Sequence, residues 1–413
     1  MTTPNITEVI NGYILEWPEH KLLAKATRIR TPSDGQVKGE LEIQRNVNGT
    51  INYLLVPTQF NFSSEPTRAK FAKQLTEKLD VKLEWKEIFD CISETVQRLA
   101  RAGDSCIEVY PQETVTLPQQ LVGNIIYKGV QNIIFGEKGV NKSTLAYLLG
   151  ICVSLPWPEN PLGLEVPTES VKTLVLDWET DKPIFEYCIS RLQKGMQFPY
   201  CSLYYRRCNL PLADDIEPIQ KHIEASRAKL LVIDSLGAAA GGEHGELKGA
   251  ESALLFNSAL RKLDITSLIV GQTKKGDDEK KKTIFGSTYF TYYARNIFEL
   301  CAGEDDFSDT QHLGLFHREC NLGRKTPPLG LRLTYTPESI DIEREPVSIA
   351  EFVHKVSVSK QILETLKEGA MTAKELQEHL DVSRGSIDMA LKRLRQHKQI
   401  TDTGGKKWGL LSV

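Results

Sequence analysis

The stretch FGEKGVNKSTLA, residues 135–146, decides the fold of this chain. An apolar run, NIIF, leads into it, and a helical run, KSTLAYLLGICVSL, leads out. Gly136 followed by Lys142, Ser143 and Thr144 nearly spells the phosphate-binding pattern G-x-x-x-x-G-K-[ST]. A strand-to-helix turn of this kind aims backbone N–H groups and the helix N-terminus at an anion. Asn141 stands where the pattern has its second glycine. Asparagine is one of the few other residues that tolerate positive φ, so the backbone path is expected to survive. Nucleotide contacts are expected from Gly136, Glu137, Lys138, Gly139, Val140, Asn141, Lys142, Ser143 and Thr144. Lys142 would reach the β- and γ-phosphates of ATP, and Ser143 would hold Mg²⁺.

Around this loop, short apolar runs alternate with helical ones from about 119 to 345. NIIFG, KTLVLDW, KLLVIDSL, SLIVGQ and LGLFHR read as strands, several of them apolar throughout. Such runs suit buried parallel strands with helices on both faces. KPIFEYCISRLQKG and ESALLFNSALRKLD supply further helices. Three of the strands end in polar residues that fit the same chemistry. Asp234 closes KLLVIDSL and would serve Mg²⁺, directly or through water. TLVLDWETD offers Asp177, Glu179 and Asp181, any of which would suit the polarising of an attacking water. Gln272 ends SLIVGQ, where a side-chain amide would sense the γ-phosphate.

The rest of the chain reads as two smaller domains. Residues 1–118 form an N-terminal α+β domain with no chemical motif. VKGELEIQR and TINYLLVPTQF alternate as strands around the hairpin signal Asn48-Gly49, and two helical runs follow, the second stopping at Gly103. Residues 346–357 read as a linker. Residues 358–413 hold three helical runs and a Gly404-Gly405 turn, the order of a winged helix-turn-helix, with a capping box from Thr372 to Glu375 and Ser383 opening the third run. The chain of 413 residues is 40% hydrophobic and 25% charged, with a net charge of -3, and has eight cysteines without CxxC or zinc spacing. These features suit a globular chain with reduced thiols, no membrane span, no secretory signal and a cytoplasmic location. Nucleic-acid contact would need local basic patches.

In sequence order, FGEKGVNKSTLA, LVLDWETD, LLVIDSLGAAAGG, LIVGQTKKG, FGSTYFTYYARNIFEL and LFHRECNLGRKTPPLGLRL resemble the RecA-like ATPases, in particular the branch with RepA and DnaB helicases and KaiC-like proteins. The resemblance covers roughly half the chain and implies a mostly parallel α/β core. It implies that Glu179 is the general base, Asp234 the Walker B carboxylate and Gln272 the sensor. It also implies a homo-oligomeric ring, hexameric in form, in which a neighbouring subunit completes each site. Arg318 and Arg324 are the matching finger positions. Relatives often carry lysine where Glu319 stands here.

The same resemblance places loops after the Walker B and sensor strands near the ring centre, where single-stranded DNA would pass. Lys274, Lys275, Lys280, Lys281 and Lys282 are the candidates there, suited to sequence-independent phosphate contacts. A winged helix would meet duplex DNA through its third helix and wing, here Arg384, Ser386, Lys392, Arg393, Arg395, Lys406 and Lys407. The region from residue 356 onward carries three more basic than acidic side chains. These features predict a DNA-associated, Mg²⁺-dependent ATPase: a helicase, translocase or helicase-like replication factor of a phage or mobile element. An ATP-gated DNA-binding regulator, or a KaiC-like signalling ATPase without motor activity, is the alternative.

Overall fold

The computed structural model describes residues 3–32, 34–78, 83–103, 106–111, 113–241, 249–273, 284, 289–303, 309–347, 358–380 and 382–411. The chain divides into two compact units. One comprises residues 1–117 with 212–222 and 258–263; the other comprises 118–211, 223–257 and 264–413.

The first unit carries a five-stranded antiparallel meander, β1 (Asn5–Val9), β2 (Gly12–Trp17), β3 (Leu22–Arg30), β4 (Lys38–Val47) and β5 (Thr50–Asn61). Helices α1 (Glu65–Lys78) and α2 (Trp85–Ala102) follow it. Asn48 and Gly49, at φ 53° and 85°, make the β4–β5 turn, since this tight hairpin needs positive φ at both central residues. Leu15, Trp17, Leu41 and Phe60 alternate inward and share one core with Trp85, Phe89 and Ile92 of α2.

The second unit is built on a nine-stranded sheet, and the chain that connects its strands belongs to the first unit at 212–222 and 258–263. A small hairpin, β6 (Gln120–Val122) and β7 (Ile126–Tyr127), precedes it. Then come β8 (Gln131–Gly136), α3 (Lys142–Ser154), β9 (Thr173–Asp177), α4 (Lys182–Met196), β10 (Tyr204–Arg207) and α5 (Ile216–Ser226). These are followed by β11 (Leu230–Asp234), α6 (Leu236–Ala239), α7 (Gly249–Leu263), β12 (Thr266–Gln272), α8 (Tyr289–Tyr293) and β13 (Asn296–Ala302). Three antiparallel strands close the sheet: β14 (Thr310–Cys320), β15 (Leu329–Tyr335) and β16 (Ile340–Glu345). The order is β10-β9-β11-β12-β8-β13-β14-β15-β16, parallel from β10 to β13.

The apolar-throughout strands are buried on both faces. Ile134, Val175, Val232 and Val270 join the core under α3, while Ile133, Leu231, Ile233 and Ile269 alternate with them and are buried too. Parallel pairing in register brings the carboxyl ends of β8, β9, β11 and β12 to one edge. Asp177 lies level with Asp234, and Gln272 with Gly136. Chain reversals after β8, β9 and β11 leave a crevice at that edge, the usual ligand position in such sheets.

The C-terminal segment has a core of its own. It contains α9 (Val358–Thr365), β17 (Met371–Thr372), α10 (Ala373–Leu380), α11 (Arg384–Gln396), β18 (Ile400–Gly404) and β19 (Lys407–Leu410). Ile362, Leu376, Ile387, Leu391, Leu394 and Ile400 pack together. Thr372 and Glu375 make the reciprocal capping pair at 2.6 and 3.2 Å, and the Ser383 hydroxyl accepts from Ser386 N at 3.3 Å.

Candidate nucleotide-binding site

The loop from Gly136 to Asn141 is held by three local devices. A Cβ on Gly136 would lie 2.2 Å from the Leu300 carbonyl oxygen of β13, so only glycine lets the two strands approach. Gly139 adopts φ 87°. Val140 is buried in the core under α3 and pins the loop there. Asn141 sits at φ 60°, ψ 30°, the left-handed conformation glycine usually supplies, and it stands as N-cap of α3. The substitution therefore keeps the backbone path. The Asn141 side chain does more than tolerate it: Nδ2 donates to Gln311 Oε1 of β14 at 2.6 Å.

Lys142, buried at 7% exposure, opens α3, and its ammonium donates to the Glu137 carbonyl across the loop. Burial lowers its pKa, and the carboxylates of Asp234 and Glu179 act in the opposite direction. Asp234 is buried at the end of β11. Its Oδ2 accepts from the Tyr147 hydroxyl at 3.0 Å, and its Oδ1 has no hydrogen-bond partner. Burial pushes its pKa up to about 6, and the Ser143 and Tyr147 hydroxyls beside it act the other way. A buried carboxylate oxygen without a donor, next to a serine hydroxyl, is a pair of hard oxygen ligands that would suit Mg²⁺. Among the described residues no cluster of three or more His, Cys, Asp or Glu forms a metal site.

The three acidic candidates after β9 separate by role. Asp177 is fully buried and accepts from Glu179 N and Thr180 N, both at 2.9 Å, from the Thr180 hydroxyl and from the Tyr205 hydroxyl at 3.2 Å. It shapes the turn. Asp181 caps α4 by accepting from Ile184 N. Glu179 alone turns toward the crevice. Its Oε1 accepts from Gln272 Nε2 at 3.1 Å and from the Ser235 hydroxyl. Trp178 N donates to Asp234 O at 2.7 Å, which ties the β9 turn to the end of β11. Lys142, Ser143, Glu179, Asp234 and Gln272 thus line one cleft of about 250 Å³.

Residues 111–278 match the AAA domain family. The match covers about two fifths of the chain, and it agrees with the loop motif and the parallel strand order in pointing to a P-loop ATPase type of domain for this part. A KaiC-like protein from the hyperthermophilic archaeon Pyrococcus horikoshii OT3 is a structural neighbour. It is 16% identical, with a TM-score of 0.40 over 55% of this chain and 100% of that one. No curated protein sequence matches the chain.

The other expected site residues fall elsewhere. Arg318 lies near the end of β14, where Cys320 pairs with Asn296 and Asn296 with Asn132, at the edge of the sheet opposite the loop. Its guanidinium holds the buried Glu299 at 2.7 Å and covers the Phe316 ring. Arg324 is exposed beyond β14. Neither reaches the cleft of its own chain. Lys274, Lys275, Lys280, Lys281 and Lys282 lie outside the described residues, as do residues 348–357 of the linker. Arg384, Lys392, Arg395 and Lys406 line one groove of about 630 Å³ between α11 and the β18–β19 turn. There Arg384 pairs with Asp388 at 3.1 Å, and the Arg395 guanidinium lies over Trp408. Arg393 and Lys407 are exposed beside it, and Ser386 is taken up in the helix cap.

The sequence reading missed Tyr147, Ser235 and Gln311. Tyr147 sits one turn into α3, five residues after Lys142, and reads as core. Ser235 directly follows Asp234 at the end of an apolar strand, which is a local signal. Gln311 lies 170 residues from Asn141, and no local pattern could find it.

Proposed function

We propose that this chain is a Mg²⁺-dependent ATP hydrolase that works on DNA as a ring of identical subunits, in the manner of a helicase, translocase or helicase-like replication factor. The observation that carries the reading is the cleft itself. A buried lysine and a serine stand at a left-handed loop, facing a partnerless carboxylate oxygen, with a second carboxylate across the same space. When bound, Mg²⁺ would neutralise phosphate charge, with Ser143 and Asp234 holding it directly or through water. Lys142 would leave the Glu137 carbonyl for the phosphates. Glu179, kept in place by Ser235 and Gln272, is the group that would take a proton from an attacking water. Glu179 is the only one of the three acidic candidates whose carboxylate faces the cleft.

The DNA reading rests on the groove of the C-terminal segment, whose three helices and hairpin suit a winged helix. Its exposed cations along α11 and the turn fit phosphate contacts on a duplex. The lysines of 274–282 would serve single strands. Arg318 and Arg324 would act only on a neighbouring subunit's nucleotide, because both lie away from their own cleft. The hold of Glu299 on Arg318 favours a second reading, an ATP-gated DNA-binding regulator in which turnover is slow.

Steady-state ATP hydrolysis with Mg²⁺, measured without DNA, with single strands and with duplex, tests the proposal. Lys142→Ala should abolish tight ATP binding. Glu179→Gln should keep binding and lower turnover at least about 100-fold, the usual weight of a general base. Stimulation by single strands supports a motor. Binding without turnover under every condition supports the regulator. Wild-type hydrolysis rates in Glu179→Gln would refute the base assignment.

A further inference from the structure

We propose that Gln311 is a positioning residue for the phosphate loop, acting through the side chain of Asn141. The inference rests on the reading of this loop as a nucleotide site.

A glycine before Lys142 would supply the left-handed backbone and nothing else. Asparagine supplies the same backbone, φ 60° and ψ 30°, and adds an amide that can reach out of the loop. Here it reaches β14. Asn141 Nδ2 donates to Gln311 Oε1 at 2.6 Å, and the Tyr335 hydroxyl of β15 donates to the same oxygen at 3.4 Å. Both receiving residues are paired in the sheet, Gln311 with Leu333 and Tyr335 with Ile340. The tether therefore runs from the last loop residue before Lys142 to the start of β14, a strand that is neither β8 nor its immediate neighbour β13.

Elsewhere in the loop, Val140 holds the inner side through the core, and the Glu137 carbonyl accepts from the Lys142 ammonium. Asn141 is thus pinned from two directions, by its own helix and by β14. A bond that fixes the loop before ligand arrives lowers the ordering cost of binding. It acts equally on ground and transition states, so it belongs in ATP affinity and not in the chemical step. The departure from the glycine pattern is then a change of device: conformational freedom is exchanged for a side-chain tether.

The test compares wild type, Asn141→Gly, Gln311→Ala and the double variant, all as full chains. The readouts are binding of a fluorescent ATP analogue with Mg²⁺, the KM and kcat of hydrolysis, and hydrogen exchange of the loop peptide in the ligand-free protein. Each single variant should weaken analogue binding about fivefold, the weight of one neutral hydrogen bond, and raise KM with kcat nearly unchanged. The double variant should bind no more weakly than either single one, because both remove the same bond. Loop exchange should speed up in all three. Additive losses, unchanged or tighter binding by Asn141→Gly, or unchanged loop exchange overturn the proposal while leaving the nucleotide site intact. A fall in melting temperature without a change in KM or analogue affinity assigns Gln311 a merely structural role and also overturns it. Failure of the wild type to bind the analogue, with Lys142→Ala no different, overturns both this inference and the nucleotide site.

Discussion

Replacing Asp234 with asparagine should change how the stability of the ligand-free protein depends on pH, and the size of the change follows from the site. The carboxyl is buried, one of its oxygens has no donor, and burial raises its pKa from the ordinary 3.8 to about 6. The folded state therefore holds this proton more tightly than the unfolded state does. The stabilisation it brings is fully present below pH 3.8 and is lost as the pH rises through about 6. For one group with those two values, the loss between pH 5 and pH 8 is about 1.4 kcal/mol. Asp234→Asn abolishes the titration, so the variant should gain on the wild type by that amount over the same interval. Lys142 loses an attractive neighbour in the variant, which shifts the absolute stability but leaves this pH trend in place. Thermal unfolding in EDTA at pH 5 and pH 8 is the assay. The melting temperature of the variant relative to wild type should rise by about 4 °C between the two, at about 3 °C per kcal/mol. Adding Mg²⁺ and a nucleotide should then stabilise the wild type and not the variant. A relative melting temperature that is flat, or that falls from pH 5 to pH 8, would refute the argument that Asp234 is a desolvated carboxylate waiting for a cation.

Further outcomes follow from the same geometry. Gly136→Ala puts a methyl group against the Leu300 carbonyl and should cost about 1–3 kcal/mol of stability together with nucleotide affinity, read by thermal unfolding and calorimetry. Arg318→Ala should destabilise the chain by up to about 3 kcal/mol, because it removes the ion pair of the buried Glu299. Pairing it with Glu299→Gln should recover much of the loss, and an unchanged melting temperature in the single variant would count against the pair. Lys392→Gln and Arg395→Gln should each weaken duplex binding and lower the slope of log affinity against log salt by about 1. A slope unchanged in both would remove α11 from the DNA interface.

Much of the core was legible because its physics is local. The apolar runs of β8, β9, β11 and β12 exist because both sheet faces are covered, and glycine, lysine and serine at a strand-to-helix turn are a pattern that suits a phosphate at a helix start. The strand β10, YYRR, was not legible, because an edge strand needs few apolar residues. The first three strands of the N-terminal meander were missed as well. There Gly12 is required by the neighbouring Ala26 carbonyl, a contact made across two strands. The acidic stretch DWETD could not be sorted from sequence. Asp177, Glu179 and Asp181 are equivalent in charge, and only the turn's hydrogen bonds send one carboxylate into the cleft and leave the other two holding backbone.

The sequence by itself determined that a phosphate-type loop joins a buried strand to a helix, that acidic and amide side chains close the neighbouring strands, and that three helices and a glycine turn end the chain. These are properties of residues near one another along the backbone. The tertiary structure decided what each group does. Parallel register placed Asp234 level with Asp177 and Gln272 level with Gly136, burial set the charge preference of Asp234, and an antiparallel strand far along the chain supplied the acceptor for Asn141. Those depend on distances between segments that no local pattern encodes, which is why Asn141 looked like a defect in the sequence and stands as a tethered loop residue in the fold.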